Sequence, residues 1–243
     1  LTIAVSRSGT GPEVLLVHGG ASPATTWSGL EHLSARWTLM FVHRRGYPPS
    51  PEPAGARQDF DVDAADIVEL LDARRHLVAH SYGGVGAAIA AIRKPGQVRS
   101  LTLIEPALFV TDDPEVQRFA RVGDEVMARG LETEPDTLRE FLRVAGAPVP
   151  EAGPLAPEVE RAVRRAHGSR PPSEAHPPLE VIRDAGIPSL VASGAHYPAA
   201  ERMCDAVASA LGAQRVVVPG AGHFVPAAPG FAERLEEFLR SVG

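Results

Sequence analysis

Short apolar runs recur through the first half of the chain, at 14–17, 38–42, 76–79 and 98–104, with stretches of helical periodicity between them. A strand that alternates apolar and polar residues keeps one wet face. A strand apolar at every position, such as Val14, Leu15, Leu16 and Val17, must be covered on both faces. Covered strands joined through helices call for a parallel sheet with helices on either side, because neighbouring parallel strands need a crossover connection. The helical stretches are marked by Trp27, Leu30 and Leu33, then by Ala64, Ile67, Val68 and Leu71, then by the small residues of 83–92. Asp59, Asp61 and Asp63 sit near the start of the second helix, where negative charge suits the helix dipole. A loosely alternating segment at 2–6 reads as a first strand. The pattern resumes late, with strands at 189–192 and 215–218 around a helix through Met203, Val207 and Leu211. A terminal helix carries Phe231, Leu235, Phe238, Leu239 and Val242.

Between 107 and 185 the rhythm breaks, and nothing reads as a central strand. Asp113, Pro114 and Glu115 open a helix carrying Val116, Phe119, Ala120, Val126 and Met127 on one face. Leu138, Phe141, Leu142 and Ala145 mark a second. Val159, Ala162, Val163 and Ala166 mark a third, opened by Pro157 between Pro/Gly-rich linkers at 147–157 and 170–178. The expected organisation is an α/β core from 1–106 and 186–243 with a helical cap at 107–185.

The 243 residues suit one domain with an insertion, large enough to fold without disulfides or metals. A net charge of −6 argues against a nucleic-acid partner, and Arg161, Arg164 and Arg165 read as a solvated helix face. Cys204 is the one cysteine, which fits a reducing, cytoplasmic compartment. No stretch approaches the ~18 apolar residues of a membrane span. The N-terminus reads as a strand rather than a signal peptide, although a chain that begins at Leu1 leaves room for a trimmed upstream segment. Oligomeric state is not legible.

The junction of the third parallel strand and its helix reads Ala79-His80-Ser81-Tyr82-Gly83. A serine flanked two residues away by small residues fits a strained strand-to-helix turn that exposes the hydroxyl, since larger neighbours would collide there. Ser81 is thus a candidate nucleophile, and a serine hydroxyl needs a base. His223, in Gly220-Ala221-Gly222-His223 after the last strand, reaches the same sheet edge, because all parallel strands end on one side. Gly20, in the His18-Gly19-Gly20 loop, and Tyr82 offer backbone N–H groups for an oxyanion. His80 reads as a packed core histidine. A phosphate-binding glycine loop is not supported, as no Gly-Lys-Ser/Thr follows. No His-x-x-x-His pair suggests a metal, and no cofactor is expected.

The ordered set His18-Gly19-Gly20, Ala79-x-Ser81-x-Gly83, Leu103-Ile104-Glu105-Pro106 and Gly222-His223 resembles the α/β-hydrolase superfamily over nearly the whole chain. It is most similar to compact bacterial serine hydrolases with a small helical cap. The resemblance implies a catalytic triad with its acid after the penultimate strand. This chain instead reads Gly194-Ala195-His196 there, with no carboxylate. Glu105, at the end of the fourth parallel strand, is the preferred substitute acid, since some branches of the family take their acid from that strand. Glu201 and Asp205, expected to face solvent, are the alternatives. The loop His43-Arg44-Arg45-Gly46-Tyr47 resembles a family loop that usually starts with aspartate, and Arg45 and Gly46 read as structural. Trp27, Phe109, Phe119 and Phe141 are candidates to line an acyl pocket. The implied activity is hydrolysis of a carboxylic ester, lactone or thioester of an apolar small molecule. Acyl transfer or carrier-chain release on the same serine, and a non-catalytic ligand-binding homologue, are the competing readings.

Overall fold

The computed structural model describes residues 3–147, 149–151 and 153–242. Thr2 of the expected first strand, and Pro148 and Ala152 of the 147–157 linker, lie outside the described residues. Seven strands form one sheet in the order β1-β3-β2-β4-β5-β6-β7. They are β1 Val5–Ser8, β2 Glu13–Val17, β3 Thr38–Val42, β4 Arg75–His80, β5 Val98–Ile104, β6 Ser189–Ser193 and β7 Gln214–Val217. All neighbours pair in parallel except β1, which runs antiparallel against β3 from Val5↔Val42 to Ser8↔Leu39. That pairing shifts the first strand beyond the expected 2–6. A mostly exposed edge strand has a weak hydrophobic pattern, so partner register sets its limits.

Nine α-helices accompany the sheet among the described residues: α1 Pro23–Thr26, α2 Phe60–Leu70, α3 Gly83–Arg93, α4 Pro114–Arg129, α5 Pro135–Val144, α6 Pro157–Ala166, α7 Glu180–Asp184, α8 Pro198–Leu211 and α9 Phe231–Ser241. The two-sided burial is visible within β2. Leu15 and Val17 join the core beneath α2, α3 and α8, whereas Val14 and Leu16 join the opposite core with Trp27, Leu30, Phe231, Leu235 and Phe238. Each fully buried leucine contributes about 1.5–3 kcal/mol. Trp27, Leu30 and Leu33 do not share one helix. Ser28 and Gly29, both weak helix formers, separate α1 from a 3₁₀ turn at Glu31–Ala35.

Between β5 and β6, α4, α5 and α6 close a cluster of their own around Val126, Leu138, Leu142, Val159 and Val163. Asp113 starts α4 by accepting from Glu115 and Val116 N–H. The last part of the segment behaves differently. Ala175, Leu179 and Ile182 are buried in the main core, and α7 packs on α3 and α8. No helix among the described residues is long and apolar enough to cross a membrane.

Candidate active site

Three neighbouring strands end in step, with His80 opposite Ile104 and Ile104 opposite Ala192. Just past these ends, Ser81, Glu105 and Ala195 have φ of 53°, 46° and 55°. Left-handed backbone costs a non-glycine residue about 1–3 kcal/mol and persists only where surroundings enforce it. Here the ladder enforces it. Ser81 N–H donates to Ile104 O at 3.0 Å, Ser81 O accepts from Gly84 and Ala107, and Glu105 N–H donates to Ala192 O at 2.9 Å. A Cβ on Gly83 would lie 2.3 Å from the His18 carbonyl oxygen, which is why the turn needs glycine there. Ser81 opens into a cavity of about 600 Å³ that His223 and Glu105 also line.

The loops after β6 and β7 touch. A Cβ on Gly194 would sit 1.9 Å from Gly222 O, so only glycine lets them close. Their contact brings two histidines to one carboxylate. His223 Nδ1 lies 3.5 Å from Glu105 Oε2, and His196 Nδ1 lies 3.6 Å from Glu105 Oε1. Glu105 is buried, and its Oε1 accepts from Gly194 N–H at 2.8 Å. His196 donates through Nε2 to Val144 O, at the end of α5, at 2.9 Å. These three side chains offer donor atoms all within 4.8 Å of one another, the one group among the described residues that could hold a metal ion. Sequence spacing could not have found it, because its members come from three strand ends. Glu201 does not simply face solvent, as expected. It accepts from Ser193 Oγ, Ala195 N–H and Arg215, clamping the loop that carries His196. Asp205 is exposed and pairs with Arg215.

The glycine loop is held from beneath by a residue the sequence reading passed over. Arg44 is buried and donates to Gly19 O at 2.9 Å, to Gln58 Oε1 at 2.8 Å and to Asp63 Oδ2 at 2.6 Å. Burial pushes the Asp63 carboxyl up, and Arg44 opposes that shift. Tyr47 Oη donates to Gly20 O at 2.7 Å. His18 Nε2 accepts from Arg44 N–H, so its Nδ1–H serves Gly19 O. Burial, with Arg44 beside it, lowers the His18 pKa and keeps the ring neutral. The available signal was an arginine two residues after a buried strand, with Asp63 on the next helix. Arg45 grips Asp66 with two bonds, and Gly46 takes a φ of 78°.

His80 is buried beside the elbow, edge-on to Trp27. Its Nε2 donates to His223 O at 2.9 Å, and its ring stacks on Phe224. Burial, then the nearby His223, lowers its pKa to about 3. It therefore props the His223 loop as a neutral ring.

Phe109, Phe119 and Phe141 line the cavity with Met127 and Leu142. Trp27 does not; it is 1% exposed in the core below, edge-on to His80, because α1 ends there and turns the indole inward. Arg161 and Arg165 also line the cavity, so two of the three arginines expected on a solvated face border the pocket. Tyr82 reaches the segment after α6, donating to Arg170 O at 3.0 Å, and burial raises its phenol pKa.

A family model described as "Alpha/beta hydrolase family" matches residues 14–235. The chain is 30% identical to the 2-(acetamidomethylene)succinate hydrolase of Mesorhizobium japonicum, over 93% of this chain and 86% of that protein. It is 31% identical to the pimeloyl-[acyl-carrier protein] methyl ester esterase of Methylococcus capsulatus, over 75% and 72%. The match to the Aeromonas salmonicida protein of the same name, 28% identical, spans 46% of that relative's length. Among solved structures, a thermophilic esterase from Thermogutta terrifontis superposes with a TM-score of 0.69 at 25% identity, covering 99% of this chain and 93% of that one.

Proposed function

Because the chain belongs to the alpha/beta hydrolase family, we propose that it cleaves a carboxylic ester, lactone or thioester through an acyl-enzyme on Ser81. The observation that carries this is the strained Ser81 turn opening into a cavity shared with His223 and Glu105. In the reaction, Ser81 Oγ attacks the carbonyl carbon and its proton passes to His223 Nε2. Glu105 holds the Nδ1–H of His223 and balances the charge of the imidazolium. The 3.5 Å separation is longer than a hydrogen bond, as is common before substrate tightens a site. The N–H groups of Gly20 and Tyr82 receive the oxyanion. His223 then protonates the leaving alcohol or thiol, and water repeats the cycle on the acyl-enzyme.

The phenylalanines, Met127 and Leu142 favour an apolar acyl chain of small to medium length. Arg161 and Arg165 add positive charge to the cavity wall. That suits a substrate with a second, acidic group, such as the succinate in the name of the Mesorhizobium relative's substrate. A fluorophosphonate probe tests the mechanism. It should label the protein once, at Ser81, and leave Ser81→Ala unlabelled. An unlabelled wild type beside a labelled control esterase overturns the reading.

A further inference from the structure

The carboxylate of Glu105 faces two imidazole nitrogens rather than one, and the triad accounts for only one of them. His196 donates through Nε2 to the Val144 carbonyl. A carbonyl can only accept, so Nε2 carries a ring hydrogen, and a ring with a single hydrogen then presents a lone pair at Nδ1. That lone pair sits 3.6 Å from Glu105 Oε1 with no hydrogen-bond partner. His223 Nδ1 is likewise buried and without a partner, 3.5 Å from Oε2. Two orphaned nitrogens around one buried carboxylate leave a gap that a cation would fill.

We propose that Glu105, His196 and His223 form a binding site for zinc or a similar borderline divalent ion, and that the ion switches off Ser81. The donor set is two imidazoles and a carboxylate, which selects zinc over magnesium or calcium. Zinc bonds of 2.0–2.2 Å in a tetrahedron put neighbouring donors about 3.3–3.5 Å apart. The two imidazoles sit 3.5 and 3.6 Å from different oxygens of Glu105, and one donor atom from each of the three residues lies within 4.8 Å of the others. Metal binding would draw the rings and the carboxylate together by up to about 1.3 Å, from 4.8 Å to the ~3.5 Å edge of a zinc tetrahedron. The Nε2–H···O=C bond of His196 is the outer-shell support that metal-bound histidines usually have. The fourth position is left for water.

The inhibitory half rests on the serine-hydrolase reading; the metal site itself does not. A triad needs His223 with its hydrogen on Nδ1 and a lone pair on Nε2 facing the serine. Metal on Nδ1 moves that hydrogen to Nε2, where it blocks proton transfer from Ser81. Glu105 is occupied by the same ion.

The experiment starts from the full chain freed of metal with a chelator. Calorimetry with zinc chloride should find one saturable site, and magnesium chloride should give no heat. His196→Ala should weaken zinc by more than about 100-fold, the upper end of what losing a mere outer-shell partner costs. Cobalt(II) added to wild type should give the intense visible absorption of a four-coordinate site, a measurement that needs no variant. Saturating zinc should slow fluorophosphonate labelling by about 100-fold or more, since a wrong imidazole tautomer costs about 10⁴ in turnover in such triads. EDTA should restore it. In His196→Ala, zinc should not change labelling relative to that variant's own metal-free rate. No saturable binding at millimolar zinc, equally tight binding by His196→Ala, or a cobalt spectrum typical of six oxygen ligands each overturns the site. Tight binding with unslowed labelling overturns the inhibition alone. If metal-free wild type does not label at all, the hydrolase reading fails while calorimetry still decides the site.

Discussion

Two buried charge clusters flank Ser81, and they are built to opposite standards. Under the glycine loop, Arg44 meets Asp63, Gln58 and the Gly19 carbonyl at 2.6–2.9 Å. At the strand ends, Glu105 meets two imidazoles at 3.5 and 3.6 Å, and both facing nitrogens lack a hydrogen-bond partner. Low dielectric strengthens a satisfied network and penalises an unsatisfied one. The first cluster is therefore a fixed support. The second keeps unspent hydrogen-bonding capacity where the proposed reaction would move a proton. The two should fail differently when cut.

Cutting the second should cost chemistry and little stability. Glu105→Gln keeps the shape but removes the charge behind His223, and turnover should fall by about 10³–10⁴. Thermal unfolding should barely move, because the amide can still accept from Gly194. A turnover near that of wild type would return the acid role to another group. Cutting the first should do the reverse. Arg44→Met leaves Asp63 charged, buried and unpaired, at a cost of about 3–5 kcal/mol. Adding Asp63→Asn should recover much of that loss in urea unfolding. If the single and double variants are equally unstable, the Arg44–Asp63 pair is not what matters there.

The first cluster was almost invisible in the sequence, whereas the sheet was not. Strands with both faces buried announce themselves by composition, so β3 and β5 stand where their apolar runs lie. The elbow was legible because steric demand fixes residue types at fixed offsets around Ser81. Arg44 had no such signature. A buried arginine looks like any surface arginine until the helix carrying Asp63 is placed above it. The resemblance led to Glu105 beside His223, but not to His196 at 3.6 Å from the same carboxylate, since a loop's sequence does not tell which way its histidine turns. Arg161 and Arg164 are exposed, as a solvated face requires, but periodicity could not tell that Arg161 and Arg165 also border a cavity.

Acid should loosen the region beneath the elbow before it reaches the carboxylates. His80 and His76 are almost fully buried, and burial lowers their pKa values from 6.5 to about 3 and about 4. Both rings are neutral when folded but take up a proton when unfolded below pH 6.5. Their contribution is thus complete above pH 6.5 and declines as pH falls towards about 4. The slope for each is about 1.4 kcal/mol per pH unit. His80→Gln can still donate to the His223 carbonyl but cannot titrate. Its unfolding free energy should fall less steeply than wild type between pH 6.5 and 4.5, by one histidine's share. Parallel curves for the two proteins would show that folded His80 takes up its proton as readily as it does in the unfolded chain.

The smallest expected effect separates two arginines that both approach the Tyr47 ring. Arg44 lies 5.9 Å from the ring centroid and Arg165 lies 4.3 Å from it. Arg44 has its acceptors beneath the loop, while Arg165 makes no ion pair among the described residues and borders the cavity. A cation stacked on an aromatic ring, with its guanidinium edge unpaired, is placed to receive an acidic group on a substrate. Arg165→Ala should raise KM for an ester bearing a distal carboxylate by about fivefold, near the upper limit for an exposed ion pair. The neutral methyl-capped analogue should show no change, and kcat should hold for both. An equal rise for both esters would mean that the arginine only packs against Tyr47, and that the cavity does not select for charge.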